Sequence, residues 1–223
     1  MLSINEKMIP ILKTPYAFKD YVELDLSVSN KALELFDLSS SHSIQQYIDD
    51  VYTKTGTKIA YGGYLEKRAI YKRSTHFLKE NPELERDIHL GVDFWSKENT
   101  PVIAPANSRV HSFKDNKGLG DYGPTIILEH VIEGIQLYTL YGHLSRASLN
   151  NLEVGQQINK GAVFAHLGNS EVNGNYAPHL HFQVILDMQD YFGDYPGVCS
   201  KATLKEHKKN GIDPTQFLNM NAF

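Results

Sequence analysis

Thr125-Ile-Ile-Leu-Glu129 and Leu137-Tyr-Thr-Leu-Tyr141 are short, mostly apolar runs, and runs of this kind decide the fold. Gly, Pro, Asn and Asp separate them from one another, a pattern that is typical of β-strands. Four more runs flank these two: Pro101–Ala104, Arg109–Phe113, Ala162–Leu167 and His179–Leu186. Because no helical pattern lies between them, they predict a mainly β fold, an antiparallel β-sandwich or half-barrel.

The first part of the chain, residues 1–87, follows a different pattern. Val22–Val28 alternates apolar and polar residues and predicts a half-buried strand. Asn30–Leu38 and the helically spaced apolar residues of 44–51 predict two helices. We therefore expect residues 1–87 to form an α+β extension that packs on a main domain of residues 88–223.

Composition excludes several classes of partner. The 223 residues are 41% hydrophobic and 22% charged, with a net charge of −4, so we expect no nucleic-acid partner. The apolar run Met8–Leu12 is too short for a signal-peptide core, and no stretch is long enough to span a membrane. As it stands the chain is expected in the cytoplasm; a leader missing from this sequence would place it in the periplasm or outside the cell. The single cysteine, Cys199, predicts a buried free thiol.

Three separate stretches carry histidine and aspartate residues of the kind that bind metal ions, called metal-type residues below. They are His89-Leu-Gly-Val-Asp93, Tyr141-Gly-His-Leu-Ser145 and His179-Leu-His181. Residues two or four apart on a strand share a face, so the first and the last stretch each present a pair of ligands. Imidazole and carboxylate ligands suit zinc, which lowers the pKa of water and generates a nucleophile near neutral pH. We therefore predict a site for one zinc ion.

The sequence resembles peptidase family M23, the LytM/lysostaphin-like zinc endopeptidases that cut peptidoglycan. The resemblance covers roughly residues 88–218. Its matching stretches are His89–Asp93, Thr100–Pro105, Gly120–Gly123, Ile126–His130, Tyr138–Ser145, Val154-Gly155, Lys160-Gly161, Pro178–Phe182 and Asp213–Leu218.

The resemblance implies a role for each candidate residue. His89, Asp93 and His181 would bind the zinc ion, and His143 and His179 would be the catalytic pair. One histidine would take a proton from water and return it to the leaving amine, while the other would donate a hydrogen bond to the oxyanion. The sequence does not assign these two parts. The substrate it implies is a peptide, most directly a stem or cross-bridge peptide of peptidoglycan.

Two other functions stay open at this point. An M23-like domain can be catalytically silent and hold a partner or a wall peptide, and a peptidase can act on peptides outside the wall. A carrier domain of the biotinyl or lipoyl type is a third hypothesis, since the sequence around Lys160-Gly161 resembles the hairpin of such domains. The Met or acidic residues that flank a modified lysine are missing, however. The basic cluster of Lys67, Arg68, Lys72 and Arg73 is interpreted as a solvated face, although a carboxylate-bearing peptide could use it.

Overall fold

The computed structural model describes residues 8–75, 77–79 and 81–220. Residues 1–7, at the start of the predicted N-terminal extension, and residues 221–223, at the end of the predicted main domain, lie outside the described residues. Within these ranges the chain forms thirteen strands: β1 (Val22–Glu23), β2 (Ala60–Gly62), β3 (Ile88–His89), β4 (Val92–Trp95), β5 (Pro101–Ile103), β6 (Ser108–Asn116), β7 (Gly123–Ile132), β8 (Ile135–Gly142), β9 (Gln157–Ile158), β10 (Val163–His166), β11 (His179–Ile185), β12 (Val198–Cys199) and β13 (Gly211–Ile212).

Helices are few, and most of them are short. The described residues contain three α-helices: α1 (Ser41–Thr55), α2 (Leu204–Asn210) and α3 (Pro214–Phe217). They also contain five 3₁₀ helices: Phe18–Asp20, Lys31–Leu35, Ile70–Arg73, Pro82–Leu84 and Arg146–Leu149. Helix α1 begins after Ser40, whose side chain accepts a hydrogen bond from the Ser43 amide, and ends at Gly56 in the left-handed conformation.

One large sheet forms the body of the molecule. Its strands run in the order β1-β2-β4-β11-β8-β7-β6-β9, and β13 pairs with β11. The β1–β2 pair is parallel, and the neighbours along the rest of the order are antiparallel. Two small sheets, β10-β5 and β12-β3, accompany it. The central strand β11 lies between β4 and β8, and this position matters for the site described below.

The main core lies on one face of this sheet. Leu180, Phe182 and Val184 of β11 are completely buried in it, as are Val92 and Phe94 of β4. Because strand side chains alternate between faces, the residues between them must point to the opposite face. Those residues are His179, His181, Asp93 and Trp95.

The opposite face of the sheet is covered by the N-terminal residues. A second apolar cluster joins Leu26, Ile44 and Tyr71 of the N-terminal part to Trp95 and Val198. Strand β2 adds a backbone pairing to β4, with Gly62 opposite Asp93. The face that carries the metal-type residues is therefore enclosed by protein.

The mainly β prediction is confirmed, and all six predicted runs contain a strand. Val22–Val28 is shorter than predicted, since only Val22–Glu23 is a strand and Ser27 forms an isolated bridge with Arg68. The division of the chain after residue 87 stays a prediction. In the described part of the chain, no helix has the length and apolar character that a membrane span requires.

Candidate metal centre

Strand pairing brings two of the predicted ligands together. Asp93 on β4 lies directly opposite His181 on β11, and both point away from the main core. On its other side, His181 pairs with Gly142 at the end of β8. A neighbouring strand lies ~4.8 Å away, so a carboxylate and an imidazole at paired positions can meet at one point.

His89 reaches the same point from β3. Its Nδ1 donates a hydrogen bond to the Gly63 carbonyl over 2.9 Å, which fixes the ring and turns Nε2 towards Asp93 and His181. Gly91 separates β3 from β4, and a Cβ there would lie 2.6 Å from Cε1 of His181. Only glycine leaves room for the His181 ring at this step of the chain.

Three ligand atoms converge at this point. His89 Nε2 lies 2.9 Å from His181 Nδ1 and 3.3 Å from Asp93 Oδ1, and His181 Nδ1 lies 3.2 Å from the same oxygen. On the far side of its ring, His181 Nε2 is 3.1 Å from Gln183 Oε1 and donates to it. In these tautomers both facing nitrogens present lone pairs, so three acceptor atoms surround one point with no proton between them. Such an arrangement suits a cation.

The geometry of this group fits zinc. A tetrahedral zinc ion with bonds of ~2.0–2.2 Å holds its ligand atoms roughly 3.3–3.6 Å apart. The observed 2.9–3.3 Å is slightly shorter, and side-chain shifts of a few tenths of an ångström accommodate the ion. Among the described residues, His89, Asp93 and His181 are the group of His, Cys, Asp and Glu side chains that can hold a metal ion.

A buried arginine holds the second oxygen of Asp93. Arg68 donates from Nη1 to Asp93 Oδ2 and from Nε to Glu66 Oε2, each over 2.5 Å. The guanidinium thereby leaves Asp93 Oδ1 free to face the point where the nitrogens of His89 and His181 converge. Burial works to raise the pKa of Asp93, but His89 and Arg68 outweigh it and hold that pKa well below its ordinary value. Asp93 is consequently an anion at neutral pH.

The two remaining histidines lie side by side next to the metal-type group. Their ring centroids are 4.2 Å apart, and His179 Nε2 is 3.8 Å from Asp93 Oδ1. His143 directly follows β8 with a φ of 62°, a left-handed conformation that turns its ring from the strand towards His179. Trp95 stacks on the other side of His179 at 5.8 Å.

Hydrogen bonds fix the same tautomer in both rings. His143 Nδ1 donates to the Asn173 carbonyl over 2.8 Å, and His179 Nδ1 donates to the Ala177 carbonyl over 2.7 Å. Each neutral ring therefore offers Nε2 as a proton acceptor. A ring of this kind donates a hydrogen bond to an oxyanion only after Nε2 has gained a proton. The two roles thus belong to two protonation states of the pair.

Burial makes the neutral form of these histidines the stable one. It lowers the pKa of His89 to about 4, with the positive charge of Arg68 adding to the effect. Burial also lowers the pKa of His179, and it lowers that of His143 well below the ordinary value, with His179 as the second cause. Neutral imidazoles are the form that binds a metal and accepts a proton.

All five predicted site residues line one cavity of about 250 Å³. Each of the five, His89, Asp93, His143, His179 and His181, is only 2–5% exposed. Residues 68–75 together with Phe77 form one wall of this site cavity, and the loop 191–198 forms another. The five residues therefore meet in one cavity and are buried there.

Sequence reasoning missed the contribution of the N-terminal part. The interpretation of Arg68 as part of a solvated basic face is wrong, because Arg68 is 4% exposed and paired with Glu66 and Asp93. A basic run gives no signal of this role, since the contact spans 25 residues and requires β2 to pair with β4. Tyr122 lines the cavity, with its hydroxyl 3.4 Å from His181 Nε2.

A mainly β chain with three convergent metal-type ligands beside two neutral histidines has the arrangement of a metal-dependent hydrolase. Residues 87–191 match the model of peptidase family M23. We therefore identify this part of the chain as a peptidase family M23 domain, and the predicted resemblance is confirmed.

Two curated bacterial proteins are similar to part of this chain. The chain is 33% identical over 124 residues to an uncharacterized metalloprotease of Haemophilus influenzae. The aligned region covers 54% of this chain and 24% of that protein. It is 31% identical over 102 residues to the DD-carboxypeptidase/endopeptidase Mpg of Neisseria meningitidis serogroup B, covering 46% of this chain and 21% of the relative. The chain thus spans about a quarter or less of the length of these curated relatives.

Two solved peptidase structures are similar to part of this chain. The catalytic domain of the antimicrobial peptidase lysostaphin from Staphylococcus simulans matches with 25% identity and a TM-score of 0.40, over 60% of this chain and 80% of that one. A zinc-containing peptidase from Vibrio cholerae matches with 26% identity and a TM-score of 0.36, over 47% of this chain and 31% of that one.

Proposed function

We propose that this chain is a zinc-dependent peptidase in which His89, Asp93 and His181 hold one zinc ion and His143 and His179 transfer protons. The observation that carries the proposal is the convergence of three lone-pair atoms within 2.9–3.3 Å of one another. Because no proton lies between them in the tautomers fixed by Gly63 and Gln183, a cation is the partner that this arrangement suits.

The zinc ion, when bound, lowers the pKa of water and polarises a peptide carbonyl. The protein's own residues supply the proton transfer and the orientation. Nε2 of a neutral His143 or His179 takes the proton of the attacking water, and the same ring returns it to the leaving amine. Arg68 keeps Asp93 Oδ2 occupied, so that the carboxylate presents a single oxygen to the metal.

The family supplies the first substrate to test. The resemblance implies that the enzyme cleaves peptide bonds of peptidoglycan stems and cross-bridges, such as Gly-Gly and D-Ala–diaminopimelate. The Neisseria relative is named a DD-carboxypeptidase/endopeptidase, which supports the same choice. A peptide from outside the wall is the alternative. A catalytically silent binding domain is the rival function, although all five residues of the expected set are present.

The ligand and catalyst assignments are tested by four alanine variants. Asp93→Ala and His181→Ala are expected to lose zinc and activity together. His143→Ala is expected to keep zinc and to lose about 10²- to 10⁴-fold in kcat, the usual contribution of general acid–base catalysis. The exposed His166 serves as a matched control, and His166→Ala is expected to change neither quantity.

Zinc content is measured by elemental analysis and hydrolysis by mass spectrometry of the products. Equal zinc loss in Asp93→Ala, His181→Ala and His143→Ala would contradict the separation of ligands from catalysts. A wild-type protein that binds zinc and cleaves neither peptidoglycan nor any peptide tested would point to the silent binding domain.

A further inference from the structure

The site cavity is narrow, and the residues of the candidate metal centre are deeply buried in it. The five site residues are at most 5% exposed, and the lining residues Tyr71, Phe77 and Tyr195 are also buried. Pockets for drug-sized ligands measure ~300–1,000 Å³. A cavity of about 250 Å³ lies just below that range and suits a short peptide.

The first wall of the cavity, residues 68–75 with Phe77, is attached to the domain at several points. Arg73 Nη1 donates to the Asn175 carbonyl over 2.8 Å, and its guanidinium lies 4.1 Å from the Tyr176 ring centroid. Ser74 Oγ donates to the Leu119 carbonyl over 2.8 Å. A Cβ on Gly120 would lie 3.0 Å from the Ser74 Cβ, so this wall packs directly against the neighbouring loop.

The second wall, residues 191–198, is equally well attached. The Gly193 amide donates to Ser112 Oγ over 2.9 Å, and its carbonyl accepts from Asn116 Nδ2 over 2.8 Å. Further along, the Leu90 amide donates to the Gly197 carbonyl over 2.8 Å. Both walls are therefore built into the fold through hydrogen bonds from several different elements.

The cavity lining carries charges of both signs outside the metal-type group. Arg86 lines it with Nε bound to the Val198 carbonyl over 2.8 Å and the guanidinium 5.5 Å from the Phe77 ring centroid. Within the described part of the chain, no carboxylate lies within ion-pair distance of Arg86. Asp121 and Asp194 line the same cavity. A free short peptide is a zwitterion and matches such a lining.

From these observations we infer that the site takes short free peptides and that Arg86 binds their terminal carboxylate. The inference rests on the proposed peptidase function and narrows its substrate class. An arginine whose Nη groups have no hydrogen-bond partner among the described residues suits a carboxylate, because its fork donates two parallel hydrogen bonds. Intact peptidoglycan would enter this site only as released fragments.

The test compares substrates of different length and different terminal charge. The probes are triglycine, pentaglycine and the stem pentapeptide of peptidoglycan, each with a free and an amidated C terminus, together with intact sacculi. The enzyme is the zinc-loaded full chain, and Asp93→Ala excludes a contaminating peptidase. We expect cleavage of free short peptides, about 10- to 100-fold lower kcat/KM for amidated ones, as for loss of a charged hydrogen bond, and no release of material from sacculi.

Two matched pairs of variants locate the determinants. Arg86→Gln is expected to remove the preference for a free carboxylate, whereas Arg146→Gln, which is exposed and bound to Asp115, is expected to keep it. Tyr191 lines the cavity with 41% exposure, while its neighbour Phe192 is 59% exposed and is not a lining residue. Tyr191→Ala is expected to raise kcat/KM for pentaglycine relative to triglycine, and Phe192→Ala is expected to leave this ratio unchanged.

The outcomes separate this inference from the function on which it rests. Release of peptides from sacculi with a kcat/KM equal to that of the short peptides would overturn the inference and leave the peptidase intact. Equal cleavage of free and amidated peptides would overturn the role of Arg86. No hydrolysis of any probe by the zinc-loaded protein would overturn the proposed function and the inference together.

Discussion

Arg68 is the residue whose environment departs furthest from what its sequence neighbours indicate. It is buried between Glu66 and Asp93 and donates to both carboxylates. Burial alone would lower the pKa of Arg68, but Tyr71, Asp93 and Glu66 together raise it well above its ordinary value. The guanidinium is therefore a permanent cation that fixes the orientation of a metal-type ligand.

This position predicts a loss of zinc affinity when the guanidinium is replaced. Arg68→Lys keeps the charge but cannot bridge both carboxylates, because it lacks the planar fork of donors. We expect zinc affinity to fall about 10- to 100-fold, the usual effect of changing a group that supports a ligand. Competition with a chelator measures it. Lys67→Met is the control, since Lys67 is 61% exposed and pairs only with Asp87 among the described residues; an Arg68→Lys protein with wild-type affinity would refute the role.

Cys199 gives a second prediction for a single residue. The side chain is buried on β12, and burial raises the pKa of its thiol to about 11. Because the thiolate is the reactive form, iodoacetamide at about pH 8 is expected to leave the native protein unlabelled and to label it completely after unfolding. Intact mass measures the labelling. Rapid alkylation of the native chain would show that the thiol is accessible.

At the scale of elements, the site depends on the close spacing of β3, β4 and β11. Gly91 allows the chain to pass the His181 ring, and a Cβ there would meet Cε1 at 2.6 Å, Nε2 at 2.7 Å and the Phe182 carbonyl oxygen at 2.7 Å. Gly91→Ala is expected to displace His181 and to abolish zinc binding while the sheet still forms. Gly211→Ala is the control, because its Cβ would approach the His207 carbonyl at 3.2 Å, a contact that a small shift relieves.

Isothermal titration with zinc and far-ultraviolet circular dichroism together check this prediction. Normal zinc binding by Gly91→Ala would mean that the His181 ring has room to move. Loss of the β-sheet spectrum in Gly91→Ala would instead place the role of this glycine in folding.

At the scale of the whole molecule, the N-terminal part and the M23 domain share one site. Gly63 accepts the hydrogen bond of His89, Arg68 binds Asp93, and the apolar cluster of Leu26, Ile44 and Trp95 spans both parts. We expect a chain of residues 88–223 alone to expose this apolar face, to aggregate or unfold more readily, and to bind zinc weakly. Addition of residues 1–87 as a separate chain is expected to restore part of both properties.

Thermal unfolding and zinc titration of the shortened chain, compared with the full chain, measure the dependence. A shortened chain with the stability and zinc affinity of the full one would show that residues 88–223 form an autonomous domain. The cytoplasmic location expected from the sequence stays a prediction, which fractionation of cells would test.

The local pattern of this sequence determined its mainly β architecture and the candidate ligands. Strand runs show themselves through alternation and turn residues, which are local properties. The pairs His89/Asp93 and His179/His181 were also visible, because short spacings on a strand place side chains on a shared face.

The tertiary structure alone decided how these residues are supported and enclosed. Three features depend on residues from different parts of the chain. They are the register of β4 against β11, the histidine tautomers set by the Gly63 and Asn173 carbonyls and the Gln183 side chain, and the burial of Arg68. Contacts over such separations depend on which strands pair and which faces are covered. No spacing within a single stretch of sequence carries that information, so the basic run around Arg68 gives no sign of its burial.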